Sequence, residues 1–584
     1  MLNILDFGAD TTGKIFCTDT IQKAIDELAG RGGGTLYFPA GIYLTGTIRL
    51  RSHCRLYLDS GATLLASVDI SDYAYSKREI YWLGTCGTPP WKKYYALLLA
   101  DDEEDIVVEG AGCIDGRGKY GEFFPNSNDC NALRPFLCLF YHCKSIKLEG
   151  ITLKDSAAYA FLGIACDNVR LTGLRVRTYD SGNGDGLDFD GGTNIVISDC
   201  LLETGDDSIS LKTTDKVPLQ NVSITNCVMR SRWAAVRIGI ESTDDIRNIT
   251  VGNCIFRDCR DGIKVQNCGG AVYESLLFHD IVMDGVLRPI FVTLNRFRFS
   301  TRENGVRPPV GRICGLRIQN VTAVVPVGGS GFEQIGCAIT GIPEGKIESV
   351  FIQNFYADFR RSVSGPVLPA TPELLDFSER YPEIDNLGEL PAAALYLRHI
   401  RRARLSECEF LVSEEDVRPT LFWTDTGLEF SGKLPEQTGK WRDGSSLSLT
   451  EQEAKTLRET AISARKADLL LEERAELLER VTGKAIPDTG RQVMTRIEKE
   501  YILISGNRRR GERWLYFPGL KGNFLIEESE SGRQIESWRC PKPYLYRAPY
   551  LLDLSGLPED FRIRLTWLET GEMFGTPFFL KEEI

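Results

Sequence analysis

The chain has 584 residues, which is too many for one compact hydrophobic core, so we expect two or three domains. Its hydrophobic content of 42% and charged content of 26% are ordinary for a globular protein in water. The formal net charge of −12 argues against nucleic acid and anionic membrane surfaces as partners, because both would repel a negatively charged protein.

The N-terminal sequence and the cysteine usage predict the cellular compartment. Residues 1–10 are too short and too acidic for a secretory signal peptide, and no apolar run approaches the length of a membrane span. The 17 cysteines follow no disulfide-framework spacing, and the four histidines form no zinc-like spacing with them. We therefore expect a cytoplasmic protein with reduced thiols and without a metal or other cofactor. The oligomeric state is unknown from the sequence.

The first predicted regular element is an amphipathic helix over residues 18–28. Its apolar residues Ile21, Ala24, Ile25 and Leu28 fall on one face. The open end of a repeat protein exposes strand edges that need a cover. We expect this helix to cap the N-terminal end of the repeat described next.

A short strand-like segment recurs through the first two thirds of the chain. Most copies alternate apolar and polar residues, which is typical of a strand with one buried face. They cover residues 105–110, 145–150, 168–173, 194–199, 221–226, 248–253, 315–320 and 349–354. From residue 168 onward the starts repeat in the mid-twenties, and a period of ~20–50 residues indicates a solenoid or propeller. Because these repeats carry short strands and no helix, we predict an all-β parallel β-helix.

Two residue types recur at fixed places in the repeat. The cysteines predict a stack of small buried side chains rather than a metal site; they are Cys200, Cys227 and Cys254. The asparagines predict turns in which the side chain bonds backbone groups; they are Asn168, Asn194, Asn221 and Asn248.

Beyond about residue 415 the strand pattern stops. Residues 416–500 are predicted to form a linker, rich in Gly, Ser and Thr over 424–448, followed by a helical segment from about 450 to 481. Residues 501–584 return to short strands and predict a small β-rich accessory domain, most simply a sandwich. The predicted domains are thus 1–415, 416–500 and 501–584.

Two acidic clusters lie beside strands of the repeat, one repeat apart. They are Asn183-Gly184-Asp185 and Gly205-Asp206-Asp207. Stacked coils would gather three carboxylates, and carboxylates at close range are the working groups of glycoside hydrolysis. Their mutual repulsion should raise the pKa of one of them so that it keeps its proton. The alternative is that they are polar turns or Asp–Asn ladders that bond the backbone, a reading that extends to the nearby Asp188 and Asp190.

Together with the N-terminal stretches 5–9, 32–43 and 56–64, these clusters carry a family resemblance. Over residues 3–410 the chain resembles glycoside hydrolase family 28, the polygalacturonases, whose Asn-Thr-Asp and Gly-Asp-Asp motifs match the two clusters. The resemblance implies a right-handed parallel β-helix. It also implies that Asp206 protonates the leaving oxygen while Asp185 and Asp207 activate water, which gives inversion. Canonically, inversion needs about 6.5–9.5 Å between acid and base.

The chain departs from the family where the substrate would be held. Ala234 stands in place of the histidine of a Gly-His-Gly motif, and Arg232, Trp233 or Arg237 are the candidate replacements. Lys264 and Gln266 stand where the family has the arginine and lysine that bind the substrate's carboxylate. One cation and the bidentate fork of arginine are lost, so a neutral or differently charged sugar is an alternative to galacturonate.

The leading functional prediction is an inverting glycoside hydrolase that acts on pectin-derived oligosaccharides of the plant cell wall. Exo-action is expected because long polymers do not enter cells, and because the aromatic insertion at residues 76–96 would close one end of the cleft. One alternative is a uronate polysaccharide lyase on the same fold, with Lys264 as base and usually a calcium ion. The other is a solenoid that binds sugars without catalysis.

Overall fold

The computed structural model describes the chain in the following ranges: residues 1–78, 94–118, 123, 134–214, 217–295, 309–327, 335–360, 382–384, 390–416, 418–431, 441–443, 491–492, 494–497, 501–507, 512–520, 524–529, 531, 533–538, 548–554, 556–567 and 579–582. Within these ranges, no helix is both long and apolar enough to cross a membrane. The chain divides into two compact units, residues 1–328 with 332–447 and residues 329–331 with 448–584.

The first unit is a parallel β-helix, as the repeat predicts. In the described residues, 32 strands pair in parallel into one continuous sheet. In chain order they are Leu2–Asn3, Thr12–Phe16, Gly34–Phe38, Gly41–Thr45, Ile48–Arg49, Cys54–Leu58, Ala62–Ala66, Ala96–Asp101, Glu104–Gly110, Cys113–Asp115, Phe136–Tyr141, Lys144–Glu149, Thr152–Lys154, Phe161–Thr172, Arg175–Thr178, Leu187–Ser198, Leu201–Thr204, Ile209–Thr213, Leu219–Thr225, Val228–Ser231, Ala234–Ser242, Ile246–Arg257, Asp261–Asn267, Val272–Asp284, Arg288–Leu294, Arg312–Cys314, Leu316–Val325, Cys337–Thr340, Ile347–Phe359, Leu395–Val412, Leu421–Ser431 and Trp441–Asp443.

The pairing runs in three stacks, one of which carries the candidate site. We call this stack the site face; it comprises residues 96–101, 136–141, 161–164, 187–190, 209–213, 234–242, 261–267, 288–294, 337–340, 395–398 and 421–424. Alternate residues point inward: Leu187 lies level with Ile209, and both are fully buried. The residues between them, such as Asp188 level with Ser210, point outward. Each outward side chain therefore lies beside its counterpart in the next coil.

The predicted N-terminal helix is confirmed. It spans Thr18–Gly30, and its four predicted apolar residues are all buried. Two short 3-10 helices, Ile4–Phe7 and Ile70–Asp72, complete the helices of the described residues. The helix packs on the first strands of the solenoid, where it covers apolar surface that the first coil would otherwise expose.

The repeated asparagines occupy bends, but they bond one another rather than the backbone. Asn194, Asn221 and Asn248 have φ near +58°, a left-handed conformation that asparagine tolerates better than most residues. The side chain of Asn248 donates to that of Asn221 at 3.0 Å, and Asn221 donates to Asn194 at 3.3 Å. The predicted turns are correct. The bonding partner is a side chain of the preceding coil, because stacking brings neighbouring coils together; the ladder ends with Asn194, which donates to Asp167 at 3.0 Å.

The repeated cysteines form the predicted buried stack. Cys200, Cys227 and Cys254 are each at most 2% exposed, and each thiol lies near a backbone carbonyl two residues earlier. Burial among apolar neighbours suits a small, soft side chain.

The parallel pairing continues beyond residue 415. Strand Leu421–Ser431 pairs with Leu395–Val412, and Trp441–Asp443 pairs with Leu421–Ser431. Part of the segment that composition marks as a linker therefore belongs to the β-helix. The predicted helical segment at 450–481 lies outside the described residues.

The second unit contains two antiparallel sheets. One has four strands in the order Arg491–Gln492, Phe579–Glu582, Glu512–Leu520, Ala548–Asp553. The other has five strands in the order Met494–Ile497, Tyr501–Asn507, Asp560–Trp567, Phe524–Glu528, Gln534–Trp538. This unit is β-rich, as the C-terminal sequence predicts.

Candidate active site

The three aspartates meet because their two coils are in register just before the site face begins. The backbone N–H of Gly186 donates to the carbonyl of Asp207 at 2.9 Å, which places the two segments level. One carboxylate oxygen from each of Asp185, Asp206 and Asp207 lies within 4.8 Å of the other two. Gly205 makes the tight approach possible, since a Cβ there would fall 2.2 Å from the Ser181 carbonyl. The gathering of three carboxylates predicted from the repeat is observed.

All three carboxylates are largely shielded from water. Asp185 is 3% exposed, Asp206 7% and Asp207 1%. Burial, reinforced by the carboxylates of Asp188 and Asp206, raises the pKa of Asp185 well above its ordinary value. The raised pKa that repulsion predicts for one member of the cluster thus falls on Asp185, whereas the family resemblance gives the acid's role to Asp206. As oxygen donors at this spacing, the three groups could also hold a divalent cation.

Asp207 is held by a cation and by a backbone amide. Arg237 Nη1 donates to Asp207 Oδ2 at 3.1 Å, and both side chains are buried. The N–H of Ala234 donates to Asp207 Oδ1 at 3.1 Å. The position where the family has a histidine therefore contributes its backbone here, and Arg237 supplies the positive charge beside the carboxylates.

Two further ion pairs lie on the neighbouring outward rungs of the site face. Lys212 Nζ donates to Asp188 Oδ2 at 2.7 Å, and Arg78 Nη2 donates to Asp190 Oδ2 at 3.2 Å. Burial raises the pKa of Asp188 to about 7, although the charge of Lys212 opposes the rise. A carboxyl that titrates near neutrality beside Asp185 makes the charge of the cluster sensitive to pH in the physiological range.

The turn that presents Asp185 is fixed from outside its own coil. Arg134 donates to the Asn183 side-chain oxygen at 2.8 Å and to the Gly182 carbonyl at 2.7 Å. Asn183 itself has φ +48°. Arg134 is 2% exposed, so its guanidinium hydrogen-bonds to the turn and has little contact with solvent.

The other predicted binding residues lie at different depths. Arg232 is partly exposed; it bonds Asp180 at 3.0 Å and lies over the ring of Tyr179. Trp233 is only 5% exposed, and the cations of Arg260 and Lys264 lie 4.3 and 4.9 Å from its ring centroid. A sugar could reach only a small part of this ring.

Lys264 and Gln266 are fully buried under a distant segment of the chain. Lys264 Nζ donates to Asp261 at 3.2 Å and to both oxygens of Glu383 at 2.8 Å. Gln266 Nε2 donates to the carbonyl of Pro382 at 2.5 Å. Both residues lie on the site face as predicted, but Lys264 Nζ and Gln266 Nε2 already have partners from the protein.

The aromatic insertion at residues 76–96 offers rings whose faces could stack on a sugar. Tyr81, Trp82 and Trp91 lie outside the described residues. Tyr94 is buried, with its ring 5.0 Å from that of Phe136. Its burial indicates packing.

Four side chains of the site were not predicted from the sequence: Lys212, Arg78, Arg134 and Glu383. Lys212 could have been found, because strand alternation places it on the same outward face as Ser210. Arg78, Arg134 and Glu383 reach the site from segments outside the regular repeat and leave no periodic signal.

Two family models match the first 325 residues of the chain. Residues 59–325 match the model described as glycosyl hydrolases family 28, and residues 1–85 match rhamnogalacturonase A/epimerase, pectate lyase-like. This chain carries a glycoside hydrolase family 28 domain. The three aspartates lie inside the matched region.

Two curated relatives each match about a third of the chain. A probable polygalacturonase of Vitis vinifera is 31% identical over 216 residues, 36% of this chain and 44% of that protein. An exo-poly-alpha-D-galacturonosidase of Dickeya chrysanthemi is 27% identical over 257 residues, 36% of this chain and 41% of that protein. The chain thus spans less than half the length of these relatives.

Solved family 28 structures share the fold. A family 28 exopolygalacturonase of Yersinia enterocolitica superposes with a TM-score of 0.56 and 19% identity, covering 74% of this chain and 78% of that one. A hyperthermoactive exopolygalacturonase of Thermotoga maritima superposes with a TM-score of 0.51 and 22% identity, covering 62% of this chain and 87% of that one. The predicted right-handed parallel β-helix is confirmed.

Proposed function

We propose that this protein hydrolyses glycosidic bonds in pectin-derived oligosaccharides. The observation that carries the proposal is the cluster of three buried carboxylates, Asp185, Asp206 and Asp207, within 4.8 Å of one another. One protonated carboxyl can protonate the leaving oxygen while ionised neighbours orient and deprotonate water. Arg237 Nη1 lies 3.1 Å from Asp207 Oδ2 and so supplies a positive charge beside the carboxylate proposed to orient water.

The stereochemical outcome is a separate part of the proposal. The facing oxygens are closer than the about 6.5–9.5 Å typical between acid and base in inverting enzymes. Inversion is therefore proposed on the family resemblance and not on this spacing. Proton NMR of the first product formed would decide it: the anomer opposite to the substrate's is expected, and the same anomer would mean retention.

Exo-action is proposed on the burial of the site face beyond Lys264. The outward residues of the site face there are apolar and buried; these are Phe291, Ala338, Tyr396 and Phe422. Ile384 and Leu390 pack against them. The protein's own chain covers that end of the face. A substrate could place only the unit next to the aspartates on that side, and its other units would extend in the opposite direction, which suits cleavage at chain ends.

The lyase alternative gains no support from Lys264. Two carboxylates hold its ammonium group, and the residue is fully buried. A lyase would yield an unsaturated product that absorbs in the near ultraviolet and would lose activity with a chelator. Hydrolysis should give neither result.

The test is an activity assay on a panel of pectic and neutral α-linked oligosaccharides. Asp206→Asn should lower kcat by about 10²–10⁴-fold, with chelator-insensitive activity in the unmodified protein. Asp284→Asn, which changes an exposed aspartate on another stack, is the matched control. If no substrate is cleaved but sugars raise the melting temperature, the protein binds sugars without catalysis.

A cytoplasmic location is proposed separately, on the reduced thiols expected from the cysteine usage; the cysteines of the described residues are free thiols. Cell fractionation with an antibody to the protein is the measurement. Recovery from the culture medium or the cell envelope would contradict it.

A further inference from the structure

Lys264 lies on the site face one coil beyond Arg237, the cation that pairs with the catalytic cluster. On the site face Arg237 lies level with Lys264, one coil apart, and Arg237 is the partner of Asp207. Parallel strands step by about 4.8 Å. A sugar unit bound beside the cluster on this side would meet Lys264.

A carboxylate of the protein already occupies that position. Glu383 places both carboxylate oxygens 2.8 Å from Lys264 Nζ, in the geometry of a charge-assisted pair. Lys264 is fully buried, and Glu383 is 8% exposed. The contact is therefore shielded from solvent and is not a surface ion pair.

Glu383 is also anchored on both sides along the chain. The carbonyl of Pro382 accepts from Gln266, and Ile384 packs among the apolar residues of the next coils. The neighbouring residues thus hold the glutamate over Lys264.

The charges at this position leave little reason for an acidic sugar to bind. Asp261, which also contacts Lys264, forms a second ion pair with Arg288 at 2.9 Å. A sugar carboxylate would have to displace Glu383 or lie near two carboxylates in a buried site, and both are unfavourable. A sugar without a carboxylate meets neither cost.

We propose that Glu383 determines substrate specificity, by filling the cationic position beside the catalytic cluster so that the sugar unit bound there is uncharged. This inference rests on the proposed hydrolase function. The competing explanation is purely structural, with Glu383 only tying residues 382–384 to the β-helix.

The experiment compares two substrates that differ in one group, an α-galactoside and the matching α-galacturonoside of the same oligosaccharide. The unmodified protein should prefer the neutral substrate in kcat/KM. Glu383→Gln keeps the shape and removes the charge, and should raise the ratio of uronate to neutral kcat/KM by about 10- to 100-fold, the size of a charged hydrogen bond. Glu344→Gln, an exposed glutamate, is the control.

A structural role would lower both activities together and leave the ratio unchanged, which would overturn the proposal. So would a clear preference of the unmodified protein for the uronate. If neither substrate is cleaved, the proposed hydrolase function fails. The role of Glu383 in specificity is then tested by sugar binding. Galacturonic acid and galactose are then titrated into Asp206→Asn and into Asp206→Asn with Glu383→Gln. Tighter galacturonate binding in the double variant alone, weakened by salt, supports the role of Glu383; equal binding in both refutes it.

Discussion

Asp185→Asn and Asp207→Asn replace neighbouring carboxylates of one cluster by the isosteric amide, and we expect them to change stability in opposite directions. At 4.8 Å and an effective dielectric constant of ~20, two ionised carboxylates repel by about 3.5 kcal/mol. Asp185→Asn removes this repulsion and the cost of a buried charge, so it should stabilise the fold by about 2–3 kcal/mol at pH 8. Asp207→Asn leaves Arg237 without its buried counter-charge and should destabilise by about 3–5 kcal/mol.

The stability difference between Asp185→Asn and the native protein should change with pH in a definite direction, which a pure packing effect would not do. The folded protein raises the pKa of Asp185 above the unfolded value of 3.8, so the folded state binds this proton more tightly than the unfolded state does. Asp185 therefore lowers the stability of the native protein as pH rises above 3.8 toward its folded pKa, and the Asn variant lacks this contribution. The advantage of Asp185→Asn should be small near pH 4 and grow toward pH 8.

The assay is urea unfolding followed by tryptophan fluorescence at pH 5, 6, 7 and 8, with midpoints compared between variants. Both variants should also lose at least about 10²-fold in kcat. An advantage of Asp185→Asn that does not grow with pH would refute the electrostatic reasoning. So would an Asp207→Asn variant as stable as Asp185→Asn.

Three further predictions use the same unfolding assay. Asn221→Ala should lower the free energy of unfolding by about 2 kcal/mol, since it removes two hydrogen bonds of the asparagine ladder and places an alanine at φ +59°. Asn221→Gly should lower it less, because glycine adopts this φ without strain. Equal losses of stability would show that the backbone conformation at the bend is unimportant. Arg78→Met should destabilise by about 3 kcal/mol by leaving Asp190 charged and buried, and adding Asp190→Asn should recover part of the loss; additive losses would contradict coupling. Cys227→Ser should cost about 1–3 kcal/mol and more than Cys227→Ala, because a hydroxyl would replace a thiol in the apolar stack; the reverse order would argue against an apolar stack.

The sequence predicted those features that repeat locally. Alternation within strands and a repeat of 22–27 residues on the site face specify the solenoid, and they place Asp185 near Asp207 without any knowledge of distant contacts. Arg237 follows in the next coil for the same reason. Residues on successive coils are neighbours in space by construction, so a one-dimensional pattern is enough to find them.

Contacts from outside the repeat were not predictable. Glu383 lies 119 residues from Lys264, and Arg78 lies 112 residues from Asp190, both in segments without strand periodicity. The strand Leu421–Ser431 was missed for another reason. Asp425, Gly427 and Glu429 are poor strand formers, but pairing along the preceding strand outweighs that preference.

The coils that follow the aspartates on the site face have equal length, so the distance between Glu383 and the aspartates could change in steps of one coil. Ser210, Arg237, Lys264 and Phe291 follow one another on the site face at intervals of 27 residues. Removing or duplicating one 27-residue block would keep every remaining coil in register while moving Glu383 relative to the aspartates by about 4.8 Å. Descendants of such a protein could therefore change which substrate unit is selected, counted from the cleaved bond, without rebuilding the hydrophobic interior.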